Sequence, residues 1–142
     1  MKPENLAGVL GSRGLPVPPS RGKGLNLDLE AQGGAVVLHC QGRIIFGPEA
    51  RALSDIVADV LPSSRRMIVD LAGIETVDSA GLGEFVLLHM WAEAAGYSLK
   101  FASPRQPVRR LLELTNLVAV FDAYGSVAEA MDAMLQEEVC SA

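Results

Sequence analysis

Ser79 stands in the stretch Val77-Asp78-Ser79-Ala80-Gly81-Leu82-Gly83, where an apolar run gives way to a helical pattern. Met67, Ile68, Val69 and Leu71 form the run, which reads as a buried strand, and a short turn leads from it to the serine. A serine at the N-cap of an apolar helix accepts a hydrogen bond from one of the orphan backbone N–H groups. The same place suits a phosphate, because the helix dipole and the free amides favour negative charge. Residue types alone leave both uses of Ser79 open.

A nucleophilic role for the serine needs a base within reach. The context is not G-x-S-x-G, and His89 lies ten residues further along the same helix. At 100° and 1.5 Å per residue that is about 280° round and about 15 Å up, too far to take the serine's proton. His39, the other histidine, falls on a strand with no plausible ligand alternating beside it, a weak candidate. Cys40 and Cys140 are too widely separated for a metal knuckle or a disulfide framework, and Cys40 reads as a small core residue. The sequence therefore predicts a non-catalytic domain with no metal and no cofactor.

The helix behind Ser79 carries two apolar stripes. Leu82, Phe85, Val86 and His89 have ordinary core spacing, whereas Gly83, Leu87, Met90, Trp91 and Ala94 form a second row. A packed sheet buries about one stripe, so the second needs a neighbouring helix or a partner. Leu87 and Trp91 are the candidate partner-binding residues of this row, with Trp91 as the surface anchor and cover from within the competing expectation for Leu87. A phosphate on Ser79 would add about -1.5 to -2 charges at the head of this row, beside Asp78 and Glu84. Desolvating that charge in a complex costs several kcal/mol. A modification at one atom could thus release a partner without refolding the domain. Asp78, Ala80, Gly81 and Gly83 would border the contact, the glycines letting a partner's backbone or a kinase approach.

These residues must be held by elements that the rest of the pattern supplies. Leu25 to Glu30 alternates strictly, Gln32-Gly33-Gly34 reads as a turn, and Ala35 to Gln41 as a second strand, together a hairpin. Gly47-Pro48 opens a first helix with Leu53, Ile56, Val57, Val60 and Leu61 at helical spacing until Pro62 stops it. The third strand, Met67 to Leu71, is apolar except for Asp70, as a strand covered on both faces should be. The second helix runs from about Ala80 to Ala95 and ends at Gly96, followed by a fourth strand, Ser98 to Ala102. Pro107 starts a third helix with Val108, Leu111, Leu112 and Thr115 inward, and Val118 to Phe121 reads as a last strand. Ser126 and Glu129 fit a capping box at the head of a final helix, whose Val127, Ala130, Met131, Met134 and Leu135 form its buried stripe. Strands alternating with helices after a hairpin mean an α/β sandwich with a mixed central sheet and about four helices.

At 142 residues and 49 % hydrophobic, the chain suits one domain with a proper core. Residues 1–24 form a flexible, basic, Pro/Gly-rich tail with four cations against one carboxylate, and residues 25–142 form the domain. The overall charge is -5 with the tail at +3, so the domain carries -8. Such an acidic body argues against nucleic-acid binding, which needs a basic face. No run of 18 apolar residues exists, so no membrane span is expected, and the broken N-terminal stretch lacks a secretory pattern. A cytoplasmic location follows as the expectation.

Val69-Asp70-Leu71-Ala72-Gly73-Ile74, then Val77 to Gly83, then Ser103-Pro104 and the helix Val108 to Leu114, resemble a STAS domain of the bacterial anti-sigma-factor antagonist type. The resemblance extends in element order over about Leu25 to Leu135. It implies that Ser79 is the phosphoacceptor, phosphorylated by an anti-sigma factor that is itself a serine kinase with a histidine-kinase-like ATPase fold. It implies further that the unphosphorylated antagonist binds that anti-sigma factor and frees the sigma factor, and that a phosphatase restores the complex. Two departures stand out. Gly42-Arg43-Ile44-Ile45-Phe46-Gly47 carries arginine and isoleucines where such antagonists have an acidic turn, so Arg43 could meet an acidic partner. Ala80 follows the acceptor where a second hydroxyl is common. The alternative is a constitutive STAS subunit of a transport, small-molecule or nucleotide-binding complex, and a second copy of the chain is a further candidate for the apolar row.

Overall fold

The computed structural model describes residues 24–141 except 46, 118–120 and 122, with side chains as far as residue 137. The basic segment before Gly24, most of the strand expected at 118–121 and the side chain of Cys140 therefore lie outside the described residues. Within them, five strands alternate with four helices: β1 (Leu25–Gln32), β2 (Ala35–Ile44), α1 (Pro48–Ser64), β3 (Arg66–Val77), α2 (Ser79–Ala95), β4 (Ser98–Ala102), α3 (Gln106–Leu114), β5 (Ala123–Tyr124) and α4 (Val127–Ser141). The strands form one sheet in the order β1-β2-β3-β4-β5, with β1 antiparallel to β2 and the others parallel. This is the mixed-sheet α/β sandwich that the pattern predicts.

The two faces of the sheet are unequally covered. Leu38, Cys40, Ile44, Met67, Val69, Leu71, Leu99 and Phe101 pack against Leu53, Val57 and Leu61 of α1, Phe85 and Leu88 of α2, and Val108 and Leu112 of α3. Among the described residues the opposite face is met only by α4, whose Ala130 and Met134 lie on Ala35, Val37, Ile68 and Ala102. Beyond α4 that face bears polar side chains, His39 and Asp70 half-buried and Asp28, Glu30 and Gln41 exposed. Lys100 is the exception beneath α4. It is 1 % exposed, and its ammonium meets the Glu137 carboxylate of α4 at 2.5 Å, so charge pairing holds the helix where apolar packing thins.

Several boundaries differ from the sequence expectation. β3 does not stop at Leu71 but continues to Val77, because β2 also extends past Gln41 and pairs with it through Arg43↔Thr76 and Ile44↔Val77, with two register shifts. Residues 42–44, expected in a turn, are thus strand, and Gly42 at φ 118° permits an approach to Gly24 that no side chain would allow. α1 runs through Pro62 to Ser64 and is closed by Arg65 in the left-handed conformation, its N–H donating to the Leu61 carbonyl. The last strand is Ala123–Tyr124, and Phe121 before it is a buried turn residue. Thr115 is exposed rather than inward, its hydroxyl donating to the Leu111 carbonyl, and Leu135 is half exposed, outside the α4 stripe.

Candidate functional site: the head and outer face of α2

The β3–α2 junction places Ser79 outside the core but beside it. The Asp78 N–H donates to the Ile44 carbonyl of β2 at 3.3 Å, which fixes the chain as it leaves the sheet. Asp78, not Ser79, is the N-cap: its side chain accepts from the Gly81 N–H at 2.9 Å while its carbonyl takes the Leu82 N–H. This corrects the capping role expected of the serine. Asp78 has the extended backbone that a cap requires, and its carboxylate is the better acceptor for an amide at a positive helix end. Ser79 is the first helical residue, and it is exposed.

The helix that follows is apolar on nearly every side, yet its faces have distinct uses. Gly81, Leu82, Phe85, Leu88 and Ala92 are buried against the sheet and α1. Ser79, Gly83, Leu87, Met90 and Ala94 are all exposed, Leu87 by 61 % and Met90 by 59 %. At 100° and 1.5 Å per residue these five fall within about 80° of arc and run about 22 Å along the axis. The exposed row is therefore a continuous ridge headed by the serine hydroxyl. Leu87, a candidate partner contact for which cover by another element was the competing expectation, is uncovered. Trp91, expected as the anchor, is half-buried instead, its indole edge-on to Tyr97 with ring centroids 5.5 Å apart. It lies at the margin of the ridge because the Tyr97 ring, just past the Gly96 C-cap, occupies its flank.

The two glycines expected to admit a partner part company. A Cβ on Gly81 would strike the Ile44 carbonyl oxygen, so Gly81 is a packing position that lets α2 sit close to β2. A Cβ on Gly83 would meet nothing within 4 Å, so Gly83 leaves the ridge low beside Ser79. Ala80 is half-buried. Glu84 turns towards α1 and accepts a hydrogen bond from the Ser54 hydroxyl, tying the two helices together. Met90, which belongs to the same helical spacing, contributes as much exposed apolar surface as Leu87.

His89 does not approach the serine. Its ring packs edge-on to Phe121, with centroids 5.9 Å apart. Burial pushes the Cys40 thiol far up, as expected of an inert core residue. Among the described residues no group of three or more His, Cys, Asp or Glu side chains is placed to hold a metal ion, and no helix is long and apolar enough to cross a membrane.

The geometry of sheet, junction and helix agrees with a family pattern: the STAS domain matches residues 26–130. This chain belongs to the STAS-domain family. A STAS-domain-containing protein of Pseudomonas aeruginosa (strain UCBPP-PA14) is 34 % identical over 93 residues, 64 % of this chain and 89 % of that one. A Thermotoga maritima protein provisionally named an anti-sigma factor antagonist is 31 % identical over 67 residues, covering 47 % of this chain and 59 % of that protein's own length. A crystal structure from the same organism, likewise of a provisionally named anti-sigma factor antagonist, superposes with a TM-score of 0.69 at 24 % identity, over 75 % of this chain and 92 % of that one. The resemblance read from Val69 to Gly83 and the α/β fold inferred with it are thereby both supported.

Proposed function

We propose that this STAS domain is an anti-sigma-factor antagonist switched by phosphorylation of Ser79. In this reading the unphosphorylated domain docks on an anti-sigma factor through the α2 ridge and so frees a sigma factor. The anti-sigma factor is itself a serine kinase that phosphorylates Ser79 and dissociates, and a phosphatase resets the domain. The observation that carries the reading is the division of labour at the head of α2. Asp78 caps the helix, so the Ser79 hydroxyl is exposed and is not the group on which the cap depends.

The ridge supplies the means of docking. Fully burying a Leu or Met side chain is worth about 1.5–3 kcal/mol, so Leu87 and Met90 together support measurable affinity. A phosphate at the end of that ridge would be forced against apolar surface and beside the Asp78 carboxylate on closure. Each 1.4 kcal/mol of the resulting penalty lowers affinity about tenfold. The helix end itself would tolerate the phosphate, because its dipole favours negative charge. The switch would thus act on the complex and leave the domain folded.

The deciding experiment expresses the serine-kinase anti-sigma factors of the source organism singly and incubates each with the domain and ATP. Phosphate mapped to Ser79, together with loss of the complex on modification, is the expected result. A partner that binds the ridge but never phosphorylates Ser79 would replace the switch with constitutive docking.

A further inference from the structure

His39 lies on the sheet face that α4 leaves uncovered, and both its ring nitrogens face carboxylates. Nδ1 is 2.7 Å from Asp70 Oδ2 on β3, and Nε2 is 2.7 Å from Glu30 Oε1 on β1. An ionised carboxylate only accepts hydrogen bonds, and a neutral imidazole has one donor and one acceptor nitrogen. Two close carboxylates therefore demand that both nitrogens carry protons. The geometry selects the imidazolium. We propose that His39 is a proton-operated fastener that holds the edge strand β1 through Glu30 to the centre of the sheet at Asp70, and that deprotonation releases the β1 end.

The asymmetry of the two partners decides which contact gives way. Asp70 is largely enclosed and also accepts the Ala72 N–H at 3.0 Å, so it stays in place. Glu30 is about half exposed and has solvent as an alternative, so losing the imidazolium frees Glu30 first. Asp28 stands directly across from His39 on β1 and adds a third negative charge. On β2 the same-face neighbours are Val37 and Gln41, and the α4 residues packed on this face, Ala130 and Met134, are apolar. The cations of the neighbouring strands are engaged elsewhere: Arg66 of β3 donates to the Gly34 carbonyl, and Lys100 of β4 pairs with Glu137. Burial opposes the charge on His39, but the hydrogen bonds and charges of Glu30 and Asp70 outweigh it and raise its pKa above the ordinary 6.5. A raised value in the folded state means the fastening is complete below pH 6.5 and is lost as pH rises through the raised value.

The test follows the His39 ring proton by NMR against pH in the full chain, with His39→Gln assigning the resonance. Glu30→Gln and Asp70→Asn serve as surface and interior controls. Amide protection of Leu25 to Gln32 is measured by hydrogen exchange on either side of the midpoint. The expected result is a midpoint above 6.5 that both carboxylate variants lower. β1 protection should fall on the alkaline side by up to about tenfold for each pH unit of that elevation, and His39→Gln should abolish the pH dependence. A midpoint at or below 6.5, or β1 protection that is equal on both sides of it, overturns the proposal.

Discussion

Asp78 and Ser79 are neighbours with separable duties, and substitution should distinguish them. Asp78→Ala removes the cap on the Gly81 N–H and is expected to cost about 1 kcal/mol in urea unfolding. Ser79→Ala should leave the melting temperature within a few degrees while abolishing phosphorylation, so that the variant binds its partner but resists release. Ser79→Asp should weaken the partner complex more than about tenfold in titration calorimetry, again without loss of fold. If both Ser79 variants bind like wild type, the switch is refuted for this chain. Gly81 and Gly83 form a second pair. Gly81→Ala forces a side chain against the Ile44 carbonyl and should destabilise by about 1–3 kcal/mol, whereas Gly83→Ala meets open space and should be neutral or stabilising by about 1 kcal/mol. Helical spacing puts Gly83 in the second apolar row and leaves Gly81 out of it, but the contact that forbids a side chain at Gly81 comes from Ile44 of β2, which local pattern does not place.

At the scale of elements, α2 is the piece whose dual use was visible before its orientation was. Its two apolar rows are plain in the spacing, but which residues the domain itself covers depends on α1 and Tyr97, whose placement no local pattern reveals. Leu87→Glu and Met90→Glu should therefore reduce partner affinity with no loss of stability, since both side chains are more than half exposed. Phe85→Ala, buried against Phe101 at 4.9 Å, should cost about 3–5 kcal/mol and unfold much of the population. Equal affinity for the ridge variants and wild type would move the docking surface elsewhere. β3 teaches the complementary lesson. Ala72 to Val77 reads as a turn because it holds a glycine and exposed polar residues, yet pairing with the extended β2 makes it strand. Tertiary pairing supplies what local propensity withholds.

For the molecule as a whole, the mixed α/β architecture follows from the order of patterns, while the unequal dressing of the sheet does not. Asp70, the one polar residue in the apolar run Met67 to Leu71, was the available sign of a polar patch, but its partner on β2 needed the parallel register His39↔Asp70 to be known. That patch should colour the stability of the entire domain. Because the His39 pKa is raised by Glu30 and Asp70, the unfolding free energy should decline as pH rises through the raised value, and His39→Gln should flatten that decline. Chemical denaturation at a series of pH values checks this, and a wild-type profile no steeper than that of the variant would contradict it.

Placing the cap one residue before the exposed hydroxyl has an evolutionary reading as well. The helix end is anchored by the Asp78 side chain, so position 79 is free to change identity with little penalty to the scaffold. If Ser79 is the acceptor proposed above, a single codon change there would silence the switch while the architecture beneath is inherited intact.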